Sequence, residues 1–174
     1  MLAAAVHTGD SASPRESFTL PVVIVLDRLR SAYNTGNVFR IADAVRAEGI
    51  VACGYTPCPP HDKLAKTARG CDEVVECTHT ETAAEAIDRL HQRGYAVYAV
   101  DTIDGAQEYG QFALHFPCAL VFGNEALGIS GEALDRCDGA ICLPACGYKN
   151  SINVGNCAAV ALFEALRQYR NKGK

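Results

Sequence analysis

What this chain lacks narrows its function first. No apolar run approaches the roughly 18 residues that cross a bilayer; the longest, such as 21–26 and 119–122, are strand-sized. A membrane partner is therefore not expected. Strong positive charge is missing too. The 16 Lys plus Arg stand against 20 Asp plus Glu, for a net charge of −4, so any nucleic acid would have to be held by a local patch. The nine cysteines include no C-x-x-C pair, and the five histidines are scattered. Cys142 and Cys146 are close but have no second pair beside them, so neither a disulfide framework nor a metal site is expected. Residues 1–17 lack the charged start and long apolar core of a signal peptide. Cys53, Cys118 and Cys142 lie in apolar runs, where a free thiol behaves as a small hydrophobe. A reducing cytoplasm is the expected location. Internal repeats, heptads and the G-x-G-x-x-G dinucleotide fingerprint are also absent.

What is present reads as one domain. The chain has 174 residues, 49% hydrophobic and 21% charged, enough to bury a core. Residues 1–20 are expected to form a flexible arm and 21–174 a single domain. The run 21–26 has the pattern of a strand buried on both faces. Further strands are expected at 50–54, 74–77, 95–100, 117–122 and 139–143. Helices are expected at 37–48 with Gly49 as the left-handed stop, and at 63–69, 80–93, 130–137 and 154–170. Six strands alternating with helices predict an α/β fold, a mostly parallel sheet covered on both faces. Ligands of such sheets bind beyond the carboxyl ends of the strands.

Three polar, glycine-containing loops follow strands. The first, 31–37, runs into Asn34-Thr-Gly-Asn-Val-Phe-Arg40, where Asn37 and Arg40 share a helical face. The second is Gly123-Asn-Glu-Ala-Leu-Gly128, whose glycines suit close backbone approach and whose Glu125 adds a carboxylate at a strand end. The third, 145–153, leads into a helix capped by Ser151 or Asn153, an end suited to a carboxylate or phosphate. Taken singly, each has an ordinary reading: a surface arginine, a solvated glutamate, a capped helix.

Taken together, Asn34-x-Gly36-Asn37-x-x-Arg40, Gly123-x-Glu125-x-x-Gly128 and Leu143-Pro144…Ser151-Ile-Asn153-Val154 resemble the three motifs of SpoU-type (TrmH-like) RNA 2′-O-ribose methyltransferases of the SPOUT superfamily. Lys66-Thr-Ala-Arg-Gly70 resembles family members as well. The resemblance implies a SPOUT fold with a six-stranded, mostly parallel sheet and a C-terminal trefoil knot. It implies S-adenosylmethionine as cofactor, held by Val100, Val121, Gly123, Leu143, Ser151 and Ile152, with no metal. It implies a homodimer acting on structured RNA (tRNA or rRNA). Arg40 would activate the ribose hydroxyl, and Asn34, Glu125, Ser151 and Asn153 would orient it or the substrate. Arg28, Arg30, Lys63, Lys66, Arg69 and Lys149 are the basic candidates for RNA contact. A catalytically inactive SPOUT-type RNA-binding protein is the alternative, and the presence of all five motif side chains speaks against it.

Overall fold

The computed structural model describes residues 18–172. The elements are β1 (Leu20–Asp27), α1 (Ala32–Val45), β2 (Ala47–Cys53), α2 (Asp62–Ala68), α3 (Cys71–Val74), β3 (Cys77–Thr80) and α4 (Ala83–Gln92). They continue with β4 (Ala96–Val100), β5 (Gln107–Glu108), β6 (Cys118–Phe122), α5 (Gly131–Leu134), β7 (Gly139–Cys142) and α6 (Val154–Asn171). The strands form one parallel sheet in the order β3-β2-β1-β6-β4-β7-β5. It has seven strands rather than the six expected. The extra one, β5, is a two-residue edge strand in a polar crossover, too short to leave a pattern in the sequence.

Strand alternation builds a core on each face. Leu20, Val22, Ile24 and Leu26 of β1, Leu120 and Phe122 of β6, and Tyr98 and Val100 of β4 join α1 and α6 on one side. Val23, Val25, Ala119, Val121, Val97 and Ala99 pack with α4 and Ile129 on the other. Residues pointing either way are apolar because both faces are covered. Burial pushes the thiols of Cys53 and Cys118 up to about 12, so they fill space as thiols. No helix among the described residues is long and apolar enough to cross a membrane.

Three local expectations need correcting. The first helix runs 32–45, not 37–48. Ser31 caps it, its side chain accepting from the Asn34 N–H at 3.3 Å. Arg46 (φ 56°), not Gly49, takes the left-handed stop, its backbone N–H shared between the Ala42 and Asp43 carbonyls. That early stop lets Ala47 pair directly with Leu20, which leaves Gly49 inside β2. The third strand is at 77–80, because Gly70 (φ 87°) starts the short helix α3 and register with β2 sets Cys77 opposite Ile50. The expected arm 1–20 falls mostly on 1–17, outside the described residues. Leu20 itself is fully buried in β1, and the Phe18 ring stacks on Tyr169 at 6.2 Å.

The polar segment 31–37 looked like a turn because it is rich in Ser, Asn, Thr and Gly. It is helix because Gly36 faces α2. A Cβ there would lie 2.1 Å from Thr67 Oγ1 and 2.8 Å from the Ala68 nitrogen. Thr67 Oγ1 donates to the Ala32 carbonyl at 2.9 Å and so docks α2 against α1. At a free helix position Gly→Ala gains up to about 1 kcal/mol. Here Gly36→Ala is expected to lose about 1–3 kcal/mol through overpacking against backbone, read as a lower urea midpoint; an unchanged or raised midpoint would show that the two helices can separate freely.

Candidate active site

β4, β6 and β7 end at one rim, and the segments leaving them enclose a cleft of about 680 Å³. Val100, Phe122 and Leu143 come from the strand ends and Gly123–Ala126 from the β6 loop. Lys149–Val154 come from the approach to α6, and Cys157 from its first turn. A volume of that order suits a drug-sized ligand. Gly123 has no alternative: a Cβ there would lie 2.2 Å from the Gly128 carbonyl carbon. Asn124 and Gly128 close the loop with paired backbone bonds of 3.0 and 2.9 Å. The buried Asn124 side chain fills the loop, accepting from the Ala126 and Leu127 N–H groups at 2.8 and 3.0 Å.

The three motifs meet in a single chain of hydrogen bonds. Asn153 Oδ1 caps α6 by accepting from the Gly155 and Asn156 N–H groups at 2.9 and 3.4 Å. Its Nδ2 then donates to Asn34 Oδ1 at 3.1 Å. Asn34 Nδ2 donates to Glu125 Oε1 at 2.8 Å. Glu125 also accepts from the Arg30 and Ser31 backbone N–H groups at 3.0 and 3.2 Å. Both amides have a determined orientation: helix N–H donors fix one end of the chain and a carboxylate the other. Asn34 is itself buried and outside the cleft, so its part is to join Glu125 to Asn153.

Burial pushes the Glu125 carboxyl up, but the donors from Arg30, Asn34, its own backbone and Ser31 outweigh that and hold it below its ordinary value. A carboxylate so placed is ionised near neutral pH and is a poor proton acceptor there. Its chemistry is that of a brace. The Ser151 hydroxyl lines the cleft and makes no hydrogen bond among the described residues. Burial, with a smaller contribution from Asp101, pushes the Cys157 thiol up to about 11, which removes it as a nucleophile. Among the described residues, no group of three or more His, Cys, Asp or Glu could hold a metal ion.

The expected site residues divide three ways. Val100, Gly123, Leu143, Ser151 and Ile152 line the cleft with Glu125, Asn153 and Lys149. Val121 does not: alternation turns its side chain into the opposite core, and Phe122 faces the cleft instead. Arg40 also lies outside the cleft. Six residues beyond Asn34, it is rotated to another side of α1, exposed and, among the described residues, without an ion pair or hydrogen bond. The basic candidates are dispersed. Arg28 pairs with the buried Asp27 at 2.9 Å, and Lys63 and Lys66 are exposed on α2. Arg69 leaves that helix in the left-handed region (φ 54°), which breaks the expected three-residue face. Sequence reasoning passed over Asn124 and Asp101. Asn124 lay unremarked inside the second motif, and Asp101, which accepts from the Thr102 N–H at 2.7 Å, followed an ordinary strand.

The sequence profile of the SpoU rRNA Methylase family matches residues 21–163. The chain belongs to that family. Among its SpoU relatives, a protein of Staphylococcus haemolyticus assigned to the TrmH family of tRNA/rRNA methyltransferases is 30% identical over 161 residues. These are 92% of this chain and 64% of the relative. The 23S rRNA (guanosine-2′-O-)-methyltransferase RlmB of Ralstonia nicotianae is 33% identical over 149 residues, 85% of this chain and 59% of that protein. This chain thus spans less than two thirds of either relative. The crystal structure of the SpoU methyltransferase AviRb from Streptomyces viridochromogenes, in complex with AdoMet, superposes with a TM-score of 0.79 at 26% identity. The match covers 86% of this chain and 60% of that one.

The Glu125 brace predicts a pH signature. A carboxyl whose folded value is depressed contributes stability above its unfolded value, near ~4.3, and loses it as pH falls through the folded value. Glu125→Gln is therefore expected to lower the urea midpoint at pH 7, with the gap from wild type closing below about pH 4. A gap that stays constant down to pH 3 would mean that the charge plays no part.

Proposed function

We propose that this protein is an S-adenosylmethionine-dependent RNA 2′-O-ribose methyltransferase acting on tRNA or rRNA. The observation that carries the reading is the Asn153–Asn34–Glu125 chain, which draws the three family motifs around one cleft. RlmB, described as a guanosine-2′-O-methyltransferase, and the AdoMet complex of AviRb support it.

The cleft suits the cofactor on its own chemistry. Val100, Leu143 and Ile152 offer apolar walls for a flat base, and Ile152 is 50% exposed. Asp101 and Glu125 put carboxylates at the walls of a site that would take a cation. S-adenosylmethionine would supply an electrophilic methyl group on a sulfonium, which leaves as a neutral thioether. The ribose oxygen forms the new C–O bond and its proton must depart, so the chain has to orient the hydroxyl and ease that loss. Ser151, unpaired at the rim, is positioned to bond the incoming hydroxyl. Glu125 and Asn153 hold the two loops that set its approach. Guanidinium is effectively always protonated, so Arg40 acts by donating to the oxygen as charge builds, or to the adjoining phosphate.

Because Arg40 lies away from the cleft of its own chain, its target is the cleft of a second copy. The assembly proposed is therefore a homodimer with RNA held across it. In this reading Lys149, at the cleft, and Arg30, Lys63 and Lys66, on the surface, meet the RNA backbone. The long return from β7 to α6 is proposed to be the threaded segment of a trefoil knot. The cytoplasm, where RNA and reduced thiols coexist, is the proposed location.

Two outcomes check this. Incubation with methyl-labelled S-adenosylmethionine and total RNA, then digestion to nucleosides, is expected to yield a labelled 2′-O-methylnucleoside; label confined to bases, or none, contradicts the reading. Arg40→Ala and Asn153→Ala are each expected to be inactive, while co-refolding the two restores part of the activity. No restoration, with dimers present, would return Arg40 to its own subunit's cleft.

A further inference from the structure

One surface feature is unused by the chemistry above. Tyr55, in the turn after β2, is 57% exposed, yet its surroundings are fixed. Gly54 before it donates to the Thr80 carbonyl at 3.0 Å, and the Gly54 carbonyl lies 2.8 Å from His79 Nε2. Thr56 after it is buried, its hydroxyl donating to the Leu26 carbonyl at 3.0 Å and accepting from the Leu29 N–H at 2.9 Å. The Tyr55 hydroxyl accepts from Asn124 Nδ2 at 3.0 Å. The ring is therefore held at its tip and on both sides of its backbone, with its body left to solvent. A tyrosine needed only to satisfy Asn124 could be replaced by water, since the same Nδ2 already donates to the Arg28 carbonyl at 2.6 Å.

The neighbours give the surface its character. Through the same Asn124 amide the ring is linked to the Leu127 N–H, and the Leu127 side chain is 70% exposed. Arg28 lies beside the Tyr55 hydroxyl. Arg30 is exposed, has no ion pair among the described residues, and lends its backbone N–H to Glu125. A second open ring, Tyr33 at 71% exposure, follows in the first turn of α1. Arg28, Arg30 and the bare face of Tyr55 are thus gathered beside the cleft of a chain whose net charge is −4. Aromatic faces with adjacent cations fit unpaired bases and their phosphates, because every base has a face to stack. For a protein partner the apolar part of this surface is slight, the Leu127 side chain and the Tyr55 ring.

We propose that Tyr55 is a stacking platform for an unpaired base of the RNA, next to the nucleotide whose ribose enters the cleft, with Arg30 taking an adjoining phosphate. The substrate class is then a loop or single-stranded stretch, not a continuous duplex. This rests on the RNA reading of the cleft.

The chain contains no tryptophan, so Tyr55→Trp introduces a single indole reporter. Its fluorescence is expected to be quenched by a short unstructured oligoribonucleotide and little changed by the same strand annealed to its complement. Tyr55→Ala is expected to weaken binding of the unstructured strand by about 10-fold, with S-adenosylmethionine affinity unchanged, and Tyr55→Phe to recover most of that loss. RNA that binds wild type and Tyr55→Ala equally, or an indole indifferent to bound RNA, overturns the platform and leaves the methyltransferase reading intact. A change of oligomeric state in Tyr55→Ala but not Tyr55→Phe also overturns it, since the ring would then belong to a protein interface. Failure of wild type to bind any RNA overturns both readings.

Discussion

The structure depends on one buried asparagine amide, Asn34, and on the two groups it joins, the Asn153 amide and the Glu125 carboxylate. Asn153 must cap α6, Asn34 lies buried in α1, and Glu125 stands at the end of β6. Asn34 pairs both ends of its amide by bringing the three segments into contact. An unpaired buried amide costs about 1–3 kcal/mol, so the network holds the segments in register as much as it binds them. Such a network is worth most when every member is satisfied. The cleft is the space left on one side of that join. Its shape follows from residues that do not all face it, and Asn34, among the most constrained, does not line it at all.

The broad architecture was legible because both faces of the sheet are covered. Val22 to Leu26 and Ala119 to Phe122 are apolar at consecutive positions, a pattern that few other arrangements tolerate. What misled was composition without context. Ser31, Asn34, Thr35 and Gly36 have turn-forming side chains, yet the helix claims them because Thr67 needs the bare Cα of Gly36. Gly49 had the look of a helix stop, but Arg46 adopts the left-handed conformation three residues earlier and lets β2 begin. Two residues of β5 carry no periodicity at all.

The site was legible as three motifs and illegible as geometry. Val121 and Phe122 are neighbours on one strand, and only the sheet's alternation decides which faces the cleft. Arg40 and Asn34 belong to one motif, yet six helical residues turn them to different surroundings. Asn124 was hidden between the glycine and glutamate of the second motif, although it ties that loop to Arg28 and Tyr55. Spacing along a chain states which residues travel together; it does not state which of them a ligand would meet.

The central claim is that the amide chain, and not contact alone, shapes the cleft proposed to hold the cofactor. Titration calorimetry of S-adenosylmethionine against wild type and Asn34→Ala tests this directly, because Asn34 does not line the cleft. Loss of one part-buried, charge-assisted link is expected to weaken binding about 10-fold while the far-ultraviolet circular dichroism spectrum is unchanged. Equal affinity in the two proteins would contradict the account.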